Sequence, residues 1–435
     1  MHRVTPQSHF NILAPLAADR LGPLRELLQG MNTVPGFADP NNGVVPFGSF
    51  ERLHFARLVV LEDATLEDIT AYGLPRPDPP TYLAFMGDCD GTAREMVAQM
   101  VQRADAGLRR IFQHCADFEP QADLLQWLLA HELPVAASFV NWVGRTVVQV
   151  REERALQRAL AARVPRGPLE SGAEAQRRRS ELIAFVDGEV RAGRLSLTAP
   201  GPTPLGWRLA RMVNAIAVPL VAVILAPVLI LAAPLLIWKL RTLETTDPEI
   251  CPRPTLSSLQ ALERLEDFDV TNQYTALGSL KPGGFRRWLL STLLVFVLYF
   301  CRHVFCRGYL ARVQTIHFAR WVFLDGKSRM VFASSYDGGH EAYMDDFIDK
   351  VAWGLNLLFS NGVGWPRTDW LLARGARREH LFKYFQRRHQ VPTEVWYRAY
   401  PGLTLIDLDR NQRIREGLQR RRSSDAQTLA WLKLL

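Results

Sequence analysis

Two histidine–arginine pairs recur in apolar, strand-like surroundings. His54 and Arg57 lie in LHFARLVVLED (53–63), and His317 and Arg320 lie in IHFARWVFLDG (316–326). A neutral imidazole in such a place can act as general base or metal ligand. Each pair is followed by an aspartate–glycine step, Asp90-Gly91 and Asp337-Gly338, where a strand pattern gives way to a helix pattern. There Asp caps the helix and Gly takes the tight turn. A helix N-terminus also attracts anions, which keeps a ligand site at this corner open. Alternate residues of a strand share a face, so His317, Ala319 and Trp321 point one way and Phe318 and Arg320 the other. His and Arg therefore meet in one compact site only across a bulge. If one face lines a cavity, His317 and Trp321 stand in it. The residues expected to carry chemistry are His317, Asp337 and Arg320, with His317, Trp321, Asp90, Gly91 and Gly338 as contacts to a bound group.

A third set is GHEAYMDDFID (339–349), which places Glu341, Asp345 and Asp349 at i, i+4 spacing with Asp346 beside them. His340 is near enough for a mixed His/carboxylate site, but H-E-x-x-H spacing is absent. Acids near a helix start suit the macrodipole, so a solvated acidic face is expected and no metal. Trp396, Tyr397 and Tyr400 read as core aromatics. No P-loop, dinucleotide fingerprint or G-x-S-x-G occurs, which leaves nucleotide hydrolysis and serine esterase chemistry without support.

The elements that position these residues are duplicated. YLAFMGDCDG (82–91) matches RMVFASSYDG (329–338), and at the same offset GLRRIF (107–112) meets GLNLLF (354–359). Further on, Pro134, Gly144 and Thr146 meet Pro392, Gly402 and Thr404. In the first copy, strands are expected at 11–16, 53–62 and 81–89, helices at 19–31, 92–112 and 122–132, and a strand or hairpin at 137–150. The second copy follows with strands at 273–281, 314–324, 329–336 and 394–408, and helices at 285–306, 339–357 and 376–388. The order β-α-β-β-α-β is the ferredoxin-like split unit. The expected fold is α+β, with two ferredoxin-like repeats facing each other as a pseudo-dimeric α/β barrel. The expected divisions are repeat 1 at 1–150, an Arg-rich helical connector at 151–207, a hydrophobic membrane segment at 208–241, a linker at 242–270, repeat 2 at 271–410 and a basic tail at 411–435.

Element order, duplication and the string GDCDG (87–91), which fits G-x-x-D-G, resemble the dimeric α/β barrel superfamily, including dye-decolorising peroxidases and chlorite dismutase-like haem proteins. SSYDG (334–338) lacks the first glycine of that pattern. The resemblance implies a barrel that binds haem or an apolar small molecule, with peroxidase-like oxidoreductase chemistry at His317. The other reading is a membrane-bound binding or scaffold protein without catalysis.

From Met212 to Trp238 the chain runs 27 residues without a charge, between Arg208 and Arg211 on one side and Lys239 and Arg241 on the other. As a helix this is about 40 Å, enough for one tilted span of a ~30 Å bilayer core. Pro219, Pro227 and Pro234 would break a soluble helix but are tolerated in lipid. A second run, Trp288–Cys301, is shorter. Positive charge flanks both runs at both ends, so loop charge sets no orientation. Two copies that pack together must lie on one side of the bilayer, so either 212–238 dips in and returns or 288–306 makes a second crossing.

The chain has 435 residues, 48% apolar and 22% charged, which excludes wholesale disorder and a small disulfide scaffold. Net charge is +8, and 46 of the 52 basic residues are arginine. With no recognition motif, a juxtamembrane role is expected for this charge and no nucleic acid partner. Five cysteines without a C-x-x-C fit a reducing, cytosol-facing location. The start, MHRVTPQSHF, lacks a signal-peptide core. The expected partner is the lipid bilayer.

Overall fold

A computed structural model describes residues 3–164, 171–306 and 310–435. The first half runs β1 (Gln7–Pro15), α1 (Leu21–Gln29), the short β2 (Asn32–Val34) and β3 (Gly36–Ala38), β4 (Leu53–Leu61), β5 (Tyr82–Asp90), α2 (Ala93–Phe112), α3 (Leu124–Ala130) and β6 (Val135–Val140). Four helices follow: α4 (Val147–Ala161), α5 (Gly172–Arg191), α6 (Leu205–Thr246) and α7 (Leu256–Glu263). The second half runs β7 (Thr271–Ser279), α8 (Gly284–His303), β8 (Ile316–Leu324), β9 (Arg329–Asp337), α9 (His340–Phe359), the two-residue β10 (Thr368–Asp369) and β11 (Ala373–Arg374), α10 (Glu379–His389), β12 (Thr393–Arg398), α11 (Leu405–Gln419) and α12 (Asp425–Leu432).

One sheet has the order β1-β5-β4-β12-β3-β2 and another the order β6-β8-β9-β7. Each half lends its last long strand to the other: β12 pairs antiparallel with β4, and β6 with β8. β4 is buried at every position and β8 at all but one, as expected for near-continuous apolar strands covered on both faces. Leu13, Val59, Leu61, Ala84 and Met86 of one sheet pack on Leu277, Val322, Leu324, Val331 and Ala333 of the other. The sheets are also stitched at their edges. Leu13 N–H donates to His131 O (3.0 Å) and Leu133 N–H to Asn11 O (2.8 Å), while Val391 N–H donates to Thr275 O (2.8 Å). This covers backbone that an open edge strand would leave unpaired.

The two halves share local geometry at corresponding positions. The offset that separates Asp90 from Asp337 also separates Ala104 (φ −137°, ψ 28°) from Val351 (φ −143°, ψ 23°), where the 20-residue helices α2 and α9 each leave helical geometry once. The same offset relates Gly91 and Gly338, with φ of 82° and 86°.

Three expectations need correction. The segments 137–150 and 394–408 are not strands throughout. They end at Val140 and Arg398, turn at Gly144 (φ 91°) and Gly402 (φ 73°), and enter helices capped by Thr146 and Thr404. Both caps are capping boxes, closed by Gln149 and Asp407. The 411–435 segment is not a tail. Helices α11 and α12 pack Ile414, Trp431 and Leu432 against Leu156, Leu160, Leu182 and Val186 of α4 and α5. The 242–270 linker contains α7. Residues 1–2 of the first expected division and 165–170 of the connector lie outside the described residues.

Candidate functional site

The predicted histidines and aspartates do come together, twice. His54 Nε2 lies 2.9 Å from Asp90 Oδ1, and His317 Nε2 lies 2.6 Å from Asp337 Oδ1. The register of β4 on β5 slips at Leu53/Phe55, and that of β8 on β9 slips at Ile316/Phe318. Each histidine is therefore the extra residue of a β-bulge, which re-aims its side chain. The second aspartate oxygen reaches a helix start, but not that of the helix that follows it. Asp90 Oδ2 accepts from Val147 N–H of α4 (2.9 Å), and Asp337 Oδ2 from Leu405 N–H of α11 (2.6 Å). The cap expected on the next helix is instead Thr92 for α2 and Gly339 for α9. Gly91 and Gly338 take the tight turns as expected.

The two dyads lie side by side around Tyr400. His54 Nδ1 is 3.1 Å from the Tyr400 hydroxyl, and the His317 ring centroid is 6.3 Å from that ring. Phe55 and Phe318 close on His317 and His54 at 5.5 and 5.3 Å. The cavity touching both histidines is about 20 Å³, room for about one water. An axial ligand needs a free ring nitrogen facing an open plane. The space beside His317 holds about one water, and the rings of Phe55 and Tyr400 cover its imidazole, so these residues leave no room for a haem. Trp321 does not join His317. It packs on Phe332 (ring centroids 5.0 Å) in the core around α9.

The arginines face the inter-sheet interior. Arg320 donates to Phe10 O (3.2 Å), Asn11 Oδ1 (3.1 Å) and Gly87 O (3.1 Å), and also pairs with the Asp88 carboxylate. Arg57 makes the mirrored set, to Tyr274 O (2.9 Å), Thr275 Oγ1 (3.0 Å), Ser334 O (3.0 Å) and Ser335 Oγ (2.8 Å). The sets occupy corresponding positions, with Thr275 where the other half has Asn11 and Ser335 where it has Asp88. Burial opposes ionisation of Asp88, but the Arg320 guanidinium and the His9 hydrogen bond hold its carboxyl below the usual range. Arg57 has no carboxylate among these partners, and burial together with the like charge of Arg320 lowers its pKa to about 9. Each guanidinium satisfies the carbonyls of the opposite sheet, so these residues clamp the halves together.

The acids of α9 form surface ion pairs. Glu341, Asp345 and Glu379 converge on Lys383 at 3.3, 2.8 and 2.9 Å, and Asp346 pairs with Lys350 at 2.7 Å.

A larger cavity escaped sequence reasoning. About 530 Å³ opens between the turn after β6, the segment after α5 and the outer face of α11, with Trp142, Arg145 and Arg415 in its wall. Behind the wall, Glu153 of α4 receives Arg145 at 2.9 Å and Arg415 at 3.4 Å. Burial outweighs both guanidiniums and raises the Glu153 pKa to about 7. At the matched positions the second half has Leu403 and Asn411 in place of Arg145 and Glu153, so it lacks these two members of the cluster. No spacing rule joins residues on a turn, a helix and a second helix more than 250 positions on, so nothing in the sequence flagged it. A carboxyl with a raised folded-state pKa binds its proton more tightly when folded. Its stabilising share is therefore present below the unfolded value and is lost as pH rises toward 7. Urea unfolding in mild detergent at pH 4.5 and 7.5 checks this. Glu153→Gln is expected to flatten the pH dependence by about 3 kcal/mol.

No family model, curated protein or solved structure matches this chain.

Proposed function

We propose that this protein is a membrane-attached scaffold in which two ferredoxin-like copies close into a pseudo-dimeric α/β barrel, with no chemistry inside the barrel. The observation that carries this reading is α6. Its most apolar stretch is entirely unburied, and between Met212 and Trp238 fifteen large apolar side chains are exposed, Leu231 at 84%. Leaving water is worth roughly 1.5–3 kcal/mol for each such side chain when fully transferred. Their sum exceeds the ~5–15 kcal/mol that stabilises a typical domain. A lipid environment resolves that imbalance.

The attachment is one-sided. At its start α6 is tied to α8: Asn214 Oδ1 lies 2.9 Å from His303 Nε2, and the Tyr299 hydroxyl donates to Ala215 O at 3.5 Å. At its end, buried Glu244 accepts from Thr368 Oγ1 (2.9 Å) and from the N–H groups of Trp370 (3.0 Å) and Leu371 (2.8 Å). Asp247 pairs with Arg286 at 2.6 Å. Both ends of α6 are held by the same strand-exchanged halves, which supports a body on one side of the bilayer. Helix α8 buries Leu290, Leu294 and Cys301 but leaves Trp288, Val295, Phe296 and Phe300 exposed, extending the apolar face of α6. Exposed Trp238 and Trp370 suit the membrane–water interface. All five cysteines are free thiols, which suits a cytosol-facing body.

The test is fractionation and labelling of the full chain. It is expected in membranes after a carbonate wash, and Leu225→Arg with Val228→Arg is expected to release most of it. Cysteines at Ser196→Cys and Ser257→Cys, exposed positions flanking α6, are expected to react with an impermeant maleimide from the same face of sealed vesicles, above the wild-type background. Reaction from opposite faces, or a soluble wild-type chain, would overturn the proposal.

A further inference from the structure

At the junction of α6 and α8 the structure contains a cationic groove with no acid in its wall among the described residues. About 420 Å³ opens between the edge strands β1 and β6 and the two apolar helices, lined among others by Ser8, His9, Ser138, Trp207, Arg211 and Arg302. Arg211 donates to the carbonyl oxygen of Arg302 and lies over the Trp207 ring at 5.2 Å from its centroid. Neither guanidinium forms an ion pair with a described carboxylate. Asp88, beyond His9, is already shared by His9 at 2.7 Å and by Arg320. The other end of α8 is different, because Arg286 there is neutralised by Asp247 at 2.6 Å.

Two like charges held together without a counter-ion repel each other, and the repulsion grows where water is partly excluded. An anion in the groove removes that cost. Guanidinium forks match phosphate oxygens in pairs, and Ser8 and Ser138 add hydroxyls at the same wall. The surroundings indicate what the anion is attached to. The next residues along α6, Met212, Val213 and Ile216, are exposed and apolar, as is Phe300 on α8. A ligand seated here has its charge against the arginines and apolar surface running away from it.

We propose that this groove binds the phosphate of an acidic phospholipid headgroup, with the acyl chains lying along α6 and the outer face of α8. The proposal rests on the membrane-attachment reading and adds the lipid class that the attachment selects.

The test uses the purified full-length chain and two vesicle types, pure phosphatidylcholine and phosphatidylcholine containing phosphatidylglycerol. The wild type is expected to bind the acidic vesicles at least about tenfold more tightly. Arg211→Gln with Arg302→Gln is expected to abolish that preference while leaving binding to neutral vesicles intact, and Arg302→Lys to retain part of it. Arg421→Gln with Arg422→Gln removes the same charge from an exposed segment remote in sequence and is expected to keep the preference. An equal loss in that control would mean diffuse attraction and overturn the groove. So would wild-type binding that does not distinguish the vesicles. Saturable binding of inorganic phosphate that Arg211→Gln with Arg302→Gln removes, together with wild-type binding that does not distinguish the vesicles, would identify free phosphate as the ligand and overturn the lipid assignment. Binding to neither vesicle would instead sink membrane attachment itself, and the groove proposal with it.

Discussion

Arg320→Met is expected to destabilise the protein by about 3–5 kcal/mol, the range found when one partner of a buried ion pair is removed. Asp88, 1% exposed, would lose the guanidinium that holds its carboxyl ionised against burial and keep only the His9 hydrogen bond, whose imidazole burial holds below its usual pKa. The carbonyls of Phe10 and Gly87 would lose a donor that reaches them from the other sheet. Arg57→Met removes the mirrored clamp but strands only neutral acceptors, at about 1–3 kcal/mol for the buried groups left unsatisfied. The two substitutions occupy equivalent positions in equivalent strands, so the difference between them isolates the carboxylate. Adding Asp88→Asn to Arg320→Met should recover part of the loss, with a coupling of about 1–3 kcal/mol for groups in one network. Urea unfolding, in mild detergent, of these three variants and of Asp88→Asn alone measures all of this. Equal costs for the two arginines, or additivity of Arg320 and Asp88, would show that the ion pair is not what fastens the sheets.

The same two arginines show where sequence reading succeeded and where it stopped. The repeat made them visible, because HFAR recurs in both strands. Period-two alternation then placed His317 with Trp321 and apart from Arg320. The bulge at each histidine breaks that period, and a bulge depends on the neighbouring strand's register, which has no local signature. The exchange of β6 and β12 was hidden for a related reason, since a strand's partner is chosen by the assembled sheet. The helices after Gly144 and Gly402 were legible in principle. Thr146-x-x-Gln149 is a capping box in the sequence itself, yet the apolar residues around it read equally well as strand. Long periodic elements such as α2 and α9 were placed to within about two residues, because their apolar stripe is set by the chain alone. The Arg145–Glu153–Arg415 cluster and the α6–α8 groove depend on contacts between distant segments.

Asp337→Ala is expected to cost about 3 kcal/mol, and its signature should appear first at a helix that the residue precedes by 68 positions. The carboxylate holds His317 Nε2, the N–H of Leu405 at the first turn of α11, and the Thr271 hydroxyl at 3.3 Å. Hydrogen bonds to a charged group are each worth about 1.5–3 kcal/mol, and a negative charge at a helix start adds about 0.3–1 kcal/mol. Asp90→Ala should cost less, because His54 keeps a second partner in Tyr400. Hydrogen exchange separates these local effects from global unfolding. The amide of Leu405 should lose protection in Asp337→Ala while Val147 keeps it, and the reverse should hold for Asp90→Ala. His317→Ala should weaken the staple by about 1–2 kcal/mol and leave the visible absorption spectrum of the protein unchanged. A Soret band in the wild type that vanishes in His317→Ala would make the histidine a haem ligand. Undiminished protection of Leu405 in Asp337→Ala would remove the aspartate from the helix start. Either result would return the histidine–aspartate pairs from structural staples to candidates for chemistry.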